Sequence, residues 1–489
     1  MRGYACGLAV FVCGAAVMSF ELAGSRVLAP YAGTSLRVWT NLLGVILASL
    51  SAGYWAGGRL ADRRPDPRLL SSLILAAGAC VGLTALLRDR LPSALQARIE
   101  GPGALSLLAS LALFAPANVL LGAVSPFAAR LRIRDPGSSG ATVGALYALS
   151  ALGSIAGTFL AGFVLIPLWG SGRLLFALAA GLALLSLLFR GGRRAQARSA
   201  VLLLLFAAGG LAPGAAGDGL LLDLDTPYNR IRVCEETDEE TGRPVRVLST
   251  DPYGQESAVF LDGDGLVFDY HTFFRLGEHL VPGFRRVALI GGGAYAYPNW
   301  FIRRYPGARI DVAEIDPALT AVARRFFGLR DHPRLSILHE DGRLFLNRRG
   351  ERYDLIIVDA FRDASCVPHH LTTVEAVRRM RARLADGGAV LVNIIGSVEG
   401  PHGRFTRAEY ATYRAVFPRV DLFPVGLPGD GERVQNIVLA ASSTPRPSVS
   451  GEAELDRILE HRWRGGVASD VPVLTDDRAP VEYYLDGVR

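Results

Sequence analysis

Lysine is absent from this 489-residue chain, so its 52 basic side chains are all arginine. That excludes Schiff-base chemistry through lysine and a lysine-bearing phosphate loop. Beside the high Ala, Gly and Pro content, the arginine reads as compositional bias. The net charge of +6 therefore does not point to nucleic acid, and no nucleic-acid partner is expected. Cysteine is scarce at five residues. Cys6, Cys13 and Cys80 lie in apolar runs, while Cys234 and Cys366 stand far apart without CxxC spacing, which argues against a disulfide framework or a zinc site. His369 and His370 are adjacent and cannot both face one metal from a helix, and there is no HExxH, so no metal is expected. Histidine is missing before His271 and acids are few in the first two-fifths, which is mostly Leu, Ala and Gly.

That apolar stretch holds runs long enough to span a bilayer: Tyr4–Ala23, Trp39–Gly57, Leu69–Leu87, Ala104–Ala123, Val143–Pro167, Leu174–Phe189 and Ala200–Ala216. A series of such runs is not a signal peptide, and it predicts a polytopic α-helical membrane domain of about seven spans with the lipid bilayer as partner. Arginines cluster in alternate loops (Arg59, Arg63, Arg64, Arg68; Arg130, Arg132, Arg134; Arg190, Arg193, Arg194, Arg198), which puts those loops and the N-terminus in the cytoplasm. Seven spans would then export everything that follows. A nucleoside ligand argues the other way, and a cytoplasmic C-terminal half on a multi-pass cell-membrane anchor is the expectation. Asn41, Asn118, Gly153 and Gly157 fit helix-packing contacts. The loop Gly58–Arg64 (GRLADRR) resembles the loop between the second and third helices of major facilitator transporters, and the resemblance covers only this loop and the half-bundle around it.

From Gly217 the character changes. Ile231–Cys234, Val245–Ser249 and Ala258–Leu261 are short strand-like runs between turns, a small β-rich segment. Val287–Pro317 then reads as a buried strand, a triple-glycine turn (Gly291, Gly292, Gly293), a helix to about Tyr305 and a second strand ending in Glu314. Glycines let a ligand approach the turn, and an acid some 20 residues on can accept hydrogen bonds from ribose hydroxyls. Further strands at Leu335–His339, Tyr353–Val358, Ala389–Ile394, Arg419–Phe423 and Asn436–Ala441 alternate with helices, predicting a parallel α/β sheet buried on both faces. Glu314, Asp341 and Asp359 end successive strands, where open α/β sheets bind ligands. The expected divisions are 1–217 (membrane helices), 218–283 (β-rich segment), 284–445 (Rossmann-like domain) and 446–489 (tail).

The runs LDG at Leu261–Gly263, IGGG at Ile290–Gly293, EIDP at Glu314–Pro317, EDGRLFL at Glu340–Leu346 and YDLIIVDAF at Tyr353–Phe361 resemble the spermidine synthase (polyamine aminopropyltransferase) family, within the methyltransferase-like Rossmann fold. The whole architecture resembles fused proteins joining a facilitator-like membrane half to a spermidine-synthase-like half. The resemblance implies that decarboxylated S-adenosylmethionine donates an aminopropyl group to an amine acceptor, without a metal. It implies Glu314 on the ribose, Asp341 and Gly342 on the adenine, Gly291–Gly293 as the ligand turn, and Asp359 as base or orienting carboxylate. A homodimer is compatible with it.

The departures bear on the acceptor. Ala294 stands where the family usually has an aspartate for the donor's amino end. Arg362 replaces a second acid, and an arginine about 4 Å from an ammonium costs roughly 1 to 4 kcal/mol. Asp363 partly compensates as a substrate residue, with Tyr228 and His369 as further acceptor-side candidates. Asp476 and Asp477 supply acidity if the tail folds over the pocket, and otherwise form a solvated turn. Two alternatives stay open: an S-adenosylmethionine-dependent methyltransferase, and a transporter or sensor whose C-terminal half binds a nucleoside or polyamine without turnover.

Overall fold

Long uninterrupted stretches of Leu, Ala and Gly fold as helices because nothing in them breaks the backbone ladder except a few prolines and positive-φ glycines. The computed structural model describes residues 2–99, 101–133, 139–189, 193–211, 219–250, 256–348, 350–360, 367–445, 449–485 and 488. It divides into two compact units, Met1–Ala216 with Leu224–Arg230, and Gly217–Asp223 with Ile231–Arg489.

In the helical unit, four helices among the described residues are long and apolar enough to cross a membrane: Tyr4–Ala32, Leu36–Arg63, Pro67–Leu87 and Ser139–Ser186. A fifth is added if Pro102–Leu113 and Ala115–Arg132, bent by 51°, make one broken span. The expected seven are thus not reached, for identifiable reasons. Two of the expected spans lie in one 48-residue run, Ser139–Ser186, on either side of a kink with non-helical dihedrals at Gly170 (φ 78°, ψ 163°), and so count once. The last expected span, Ala200–Ala216, survives as the short apolar helix Gln196–Gly210, and its end lies outside the described residues.

Close packing rests on the small residues. A Cβ on Gly153 or Gly157 would meet the carbonyl oxygens of Phe11 and Ala15 at 2.0 and 2.3 Å, so Ser139–Leu160 and Arg2–Ala32 touch backbone to backbone. Asn41 donates to Gly103 O (2.8 Å) and Ser106 Oγ (2.9 Å), joining two helices, whereas Asn118 donates to Phe114 O (2.9 Å) within its own turn. The run GRLADRR, expected as a loop, is the last turns of the helix Leu36–Arg63 with Arg64 as its cap, and Arg130 pairs there with Asp62 at 3.1 Å. The turn Asp225–Arg230 is tied into this unit. Ser171 gives both its N–H and its hydroxyl to Asp225 (2.7 Å each), and Arg230 pairs with Asp89 at 2.7 Å.

The C-terminal unit opens with a four-stranded antiparallel sheet, β1 (Leu220–Asp225), β2 (Arg230–Thr237), β3 (Pro244–Ser249) and β4 (Ser257–Phe260), in sequence order. The seven-stranded sheet follows: β5 (Arg286–Ile290), β6 (Arg309–Glu314), β7 (Leu335–His339), β8 (Tyr353–Val358), β9 (Leu384–Gly396), β10 (Arg419–Pro424) and β11 (Gln435–Ser442). Its order is β10-β11-β9-β8-β5-β6-β7, a Rossmann-like arrangement of the methyltransferase type. The expected all-parallel sheet needs one correction. β11 pairs antiparallel with both β9 and β10, so it alone runs against the other six. The chain leaves β5 toward β7 on one side and resumes with β8 on the other, which opens a crevice at the carboxyl ends of β5 and β8.

The tail folds back instead of standing in solvent. Leu474, Val481, Tyr484, Leu485 and Val488 are buried in one cluster with Ile356, Val392 and Phe405. Buried Arg407 anchors the segment through two 2.7 Å bonds to Asp470. Those bonds hold the Asp470 carboxyl below the usual range. A depressed carboxylate stabilises the fold above its unfolded value of about 3.9, and that contribution is lost as pH falls below it. Asp470→Asn should therefore lower the thermal midpoint at neutral pH and much less near roughly pH 3. The effect is modest because Asp470 is half exposed. An equal loss at both pH values would assign the effect to packing.

Candidate active site

The glycine turn after β5 is built to let two strands meet. Gly291 has φ 98°, and a Cβ there would lie 2.2 Å from the carbonyl oxygen of Asp359. Asp359, just past β8, returns its own N–H to Ile290 O at 2.8 Å. Turn and acid are therefore neighbours by backbone contact. The turn ends in Tyr295, the only non-glycine residue with positive φ (59°) among the described residues. Such a conformation persists only where its surroundings impose it. Here the Tyr295 hydroxyl bonds Thr320 Oγ1 at 2.7 Å, which meets His339 Nε2 at 2.9 Å.

Glu314, at the end of β6, is 5 % exposed and accepts from Gly292 N–H and Asp316 N–H, each at 2.8 Å. Burial pushes its carboxyl up, and the Asp316 and Gly292 N–H groups oppose that. Its carboxylate thus fastens the turn to β6, with lone pairs remaining beyond those two bonds. Asp341 caps the helix Gly342–Asn347 through the N–H groups of Arg343 (2.8 Å) and Leu344 (3.3 Å), and its other oxygen meets His370 Nε2 at 3.0 Å. Gly342 is buried against Ile290 and Leu371, so a side chain there would strike the sheet.

Asp359 is held from both sides by neighbouring side chains. Its Oδ1 accepts from Asn393 Nδ2 at 3.0 Å, and its Oδ2 accepts from the Tyr270 hydroxyl at 3.3 Å. His271 Nε2 lies 3.5 Å from that second oxygen. Tyr270 and His271 sit on the short helix Asp269–Phe273, with ring centroids 4.2 Å apart, and the His271 ring stacks at 5.9 Å on Tyr297. Burial first, and the Asp359 charge second, push the Tyr270 hydroxyl well above the usual phenol value, so it stays a donor.

The acceptor-side candidates fare less well. Asp363 and Arg362 lie outside the described residues. Tyr228 lies in the Asp225–Arg230 turn, grouped with the helical unit. His369 is exposed, and it is His370 that reaches a site acid. Asp476 does fold back, but onto Arg343 (2.7 Å) and Thr373 (2.6 Å), so its charge is already matched. Among the described residues, no group of three or more His, Cys, Asp or Glu side chains forms a metal site. Tyr270, His271, Asn393 and Asn436 escaped the sequence reading. Asn393 left a signal, as the single polar residue in the apolar run Ala389–Ile395.

Strand order, glycine turn and strand-end acids thus meet at one crevice with one oriented carboxylate. Residues 270–444 match the spermine/spermidine synthase domain. The matched span contains Tyr270, the glycine turn, Glu314, Asp341, Asp359, Asn393 and Asn436. A polyamine aminopropyltransferase of Vibrio vulnificus is 28% identical over 31% of this chain and 50% of its own length. The chain thus spans about half the length of that curated relative. Polyamine aminopropyltransferase 2 of Ralstonia nicotianae is 24% identical over 94% of this chain and 98% of its own. A probable spermidine synthase of Corynebacterium glutamicum, known from its crystal structure, aligns at 25% identity over 56% of this chain and 96% of its own, with a TM-score of 0.42. Residues 270–444 are thus similar to a spermine/spermidine synthase domain, and those two curated relatives are aminopropyltransferases. The match lies in the C-terminal half, and the facilitator-like resemblance rests on the Gly58–Arg64 run alone.

Proposed function

We propose that this chain is a membrane-anchored aminopropyltransferase-type enzyme, with decarboxylated S-adenosylmethionine as co-substrate and a small amine as acceptor. The observation that carries the proposal is Asp359, held at the switch point against the glycine turn with a hydrogen-bond donor on each carboxylate oxygen. Glycine at 291–293 leaves room beside the turn for the donor, Glu314 takes the ribose with its remaining lone pairs, and Asp341 with Gly342 borders the adenine. The acceptor nitrogen attacks the methylene carbon bonded to the donor's sulfonium. The carbon–sulfur bond breaks, methylthioadenosine leaves neutral, and the ammonium proton passes to Asp359. Four or five apolar helices support a multi-pass anchor, and the adenosyl donor argues for a cytoplasmic C-terminal half. A C-terminal reporter active only outside the cytoplasm would overturn that side.

Calorimetry of the full-length protein with S-adenosylmethionine, its decarboxylated form and methylthioadenosine tests the proposal, followed by identification of the product. Methylthioadenosine release with an amine supports it, and no binding of any of the three sinks it. One feature favours methyl transfer as a second reading: residue 294 is alanine, so no carboxylate stands there to repel the carboxylate that S-adenosylmethionine carries and its decarboxylated form lacks. S-adenosylhomocysteine as product would decide for that reading. Ala294→Asp should shift preference toward the decarboxylated donor by about tenfold, the order of one screened repulsion between the new carboxylate and that of S-adenosylmethionine. Unchanged relative affinities would show that position 294 does not face the donor's amino end.

A further inference from the structure

Asn393 is a polar residue in the central strand β9, 4 % exposed, between Val392 and Ile394, which are buried. A buried amide is costly unless its hydrogen-bonding groups find partners. Asn393 meets this demand in one direction only. Its Nδ2 gives a hydrogen to Asp359 Oδ1 at 3.0 Å, and its Oδ1 takes one from Asn436 Nδ2, also at 3.0 Å. The register explains the reach. Val438 of β11 lies opposite Asn393, so Asn436, two residues away, shares its face as the diagonal neighbour. Chemistry fixes the polarity of this chain. An ionised carboxylate only accepts, so Asn393 must turn its NH₂ to Asp359 and its oxygen to Asn436, which must then offer its own NH₂.

The relay acts on a torsion that is otherwise soft, since the terminal torsion of an aspartate is broad. The Oδ1 bond to Asn393 sets which oxygen faces Tyr270 and His271. We propose that Asn436 and Asn393 form a one-way amide relay that locks the Asp359 carboxylate in its proton-accepting orientation, as positioning residues for the transfer step. This rests on Asp359 being the group that takes the acceptor's proton. The other groups facing it are Tyr270 and His271 from the helix Asp269–Phe273, and Tyr297 from the helix Ala296–Arg304, with Glu256 beyond Tyr270.

The decisive variant is Asn436→Asp, which preserves size and does not touch Asp359. Its carboxylate accepts where the amide donated, so it draws the Asn393 NH₂ toward itself and turns the Asn393 carbonyl onto Asp359. Turnover should fall by about tenfold to a hundredfold with the donor KM unchanged, the cost of a misaligned reacting group. Asn393→Leu should fall as far, and Asn436→Ala less. The second readout needs no turnover: the carboxylate stretching band of Asp359, isolated by infrared difference against Asp359→Asn, should move in Asn393→Leu and Asn436→Asp. If the full-length protein turns over no amine, the functional reading fails and the band alone judges the relay. Asn436→Asp with the parent's band, or with the parent's turnover where there is any, would overturn it.

Discussion

Replacing Asp359 by asparagine should lower turnover by about two to four orders of magnitude while leaving adenosyl-donor binding nearly unchanged, the range expected for loss of a general base. The substitution keeps shape. The introduced amide can still accept at its one oxygen, but its NH₂ would either confront the Asn393 NH₂ or reverse the bond that the Tyr270 hydroxyl now donates. The loss therefore combines a missing proton acceptor with a disturbed hydrogen-bond pair, and Asn393→Asp, which restores an acceptor beside the amide but puts no base at 359, should not rescue turnover. Binding stays intact because the turn's own fastening runs through Glu314 and Tyr295. Single-turnover product release and calorimetry on the same preparation separate the two quantities. A parallel loss of binding would mean that Asp359 holds the donor rather than accepting a proton.

Gly291→Ala should be the most damaging single-methyl change in the C-terminal half. A left-handed conformation costs a non-glycine residue about 1–2 kcal/mol, and the new Cβ would stand 2.2 Å from a backbone oxygen that cannot swing aside. Moving Asp359 to relieve that contact breaks its bond to Ile290 and carries the Asn393 and Tyr270 contacts with it. We expect a destabilisation above about 4 kcal/mol, the range reserved for changes with a named backbone or core cause. Denaturant unfolding of the variant beside Gly307→Ala measures it, since a Cβ at Gly307 meets nothing within 4 Å. Equal stabilities would show that the turn can open without cost.

Much of this arrangement was legible in the residues. Near-continuous apolar runs between helices announce a sheet covered on both faces, and glycine followed by an acid some 20 residues later announces a ligand turn. Hydropathy carries no strand direction, so the reversal of β11 could not be read from Asn436–Ala441, which is as apolar as its parallel neighbours. Nor could it separate a carboxylate that caps a helix from one that meets a ligand. Asp341 is firmly a cap in the structure, while Asp359, the same residue type just past the end of β8, receives the Asn393 and Tyr270 side chains. Hydropathy also places spans without showing how they join: the two apolar runs on either side of Gly170 are continuous in the structure across the kink at that positive-φ glycine. The Asn436–Asn393 pair is invisible for another reason. It joins residues 43 apart through pairing that only the sheet order creates.

The folded-back tail has a consequence for the order of events at the ribosome. Leu474, Val481, Tyr484, Leu485 and Val488 complete the apolar cluster that covers one face of β8 and β9. Until those residues emerge, the part of that face which they cover stays open, although Val377, Met380, Phe405 and Ala408 already pack on the rest. Nascent chains should therefore need a holding factor over this interval, and ribosome-stalled chains ending near Asp470 should be the most protease-sensitive of a length series.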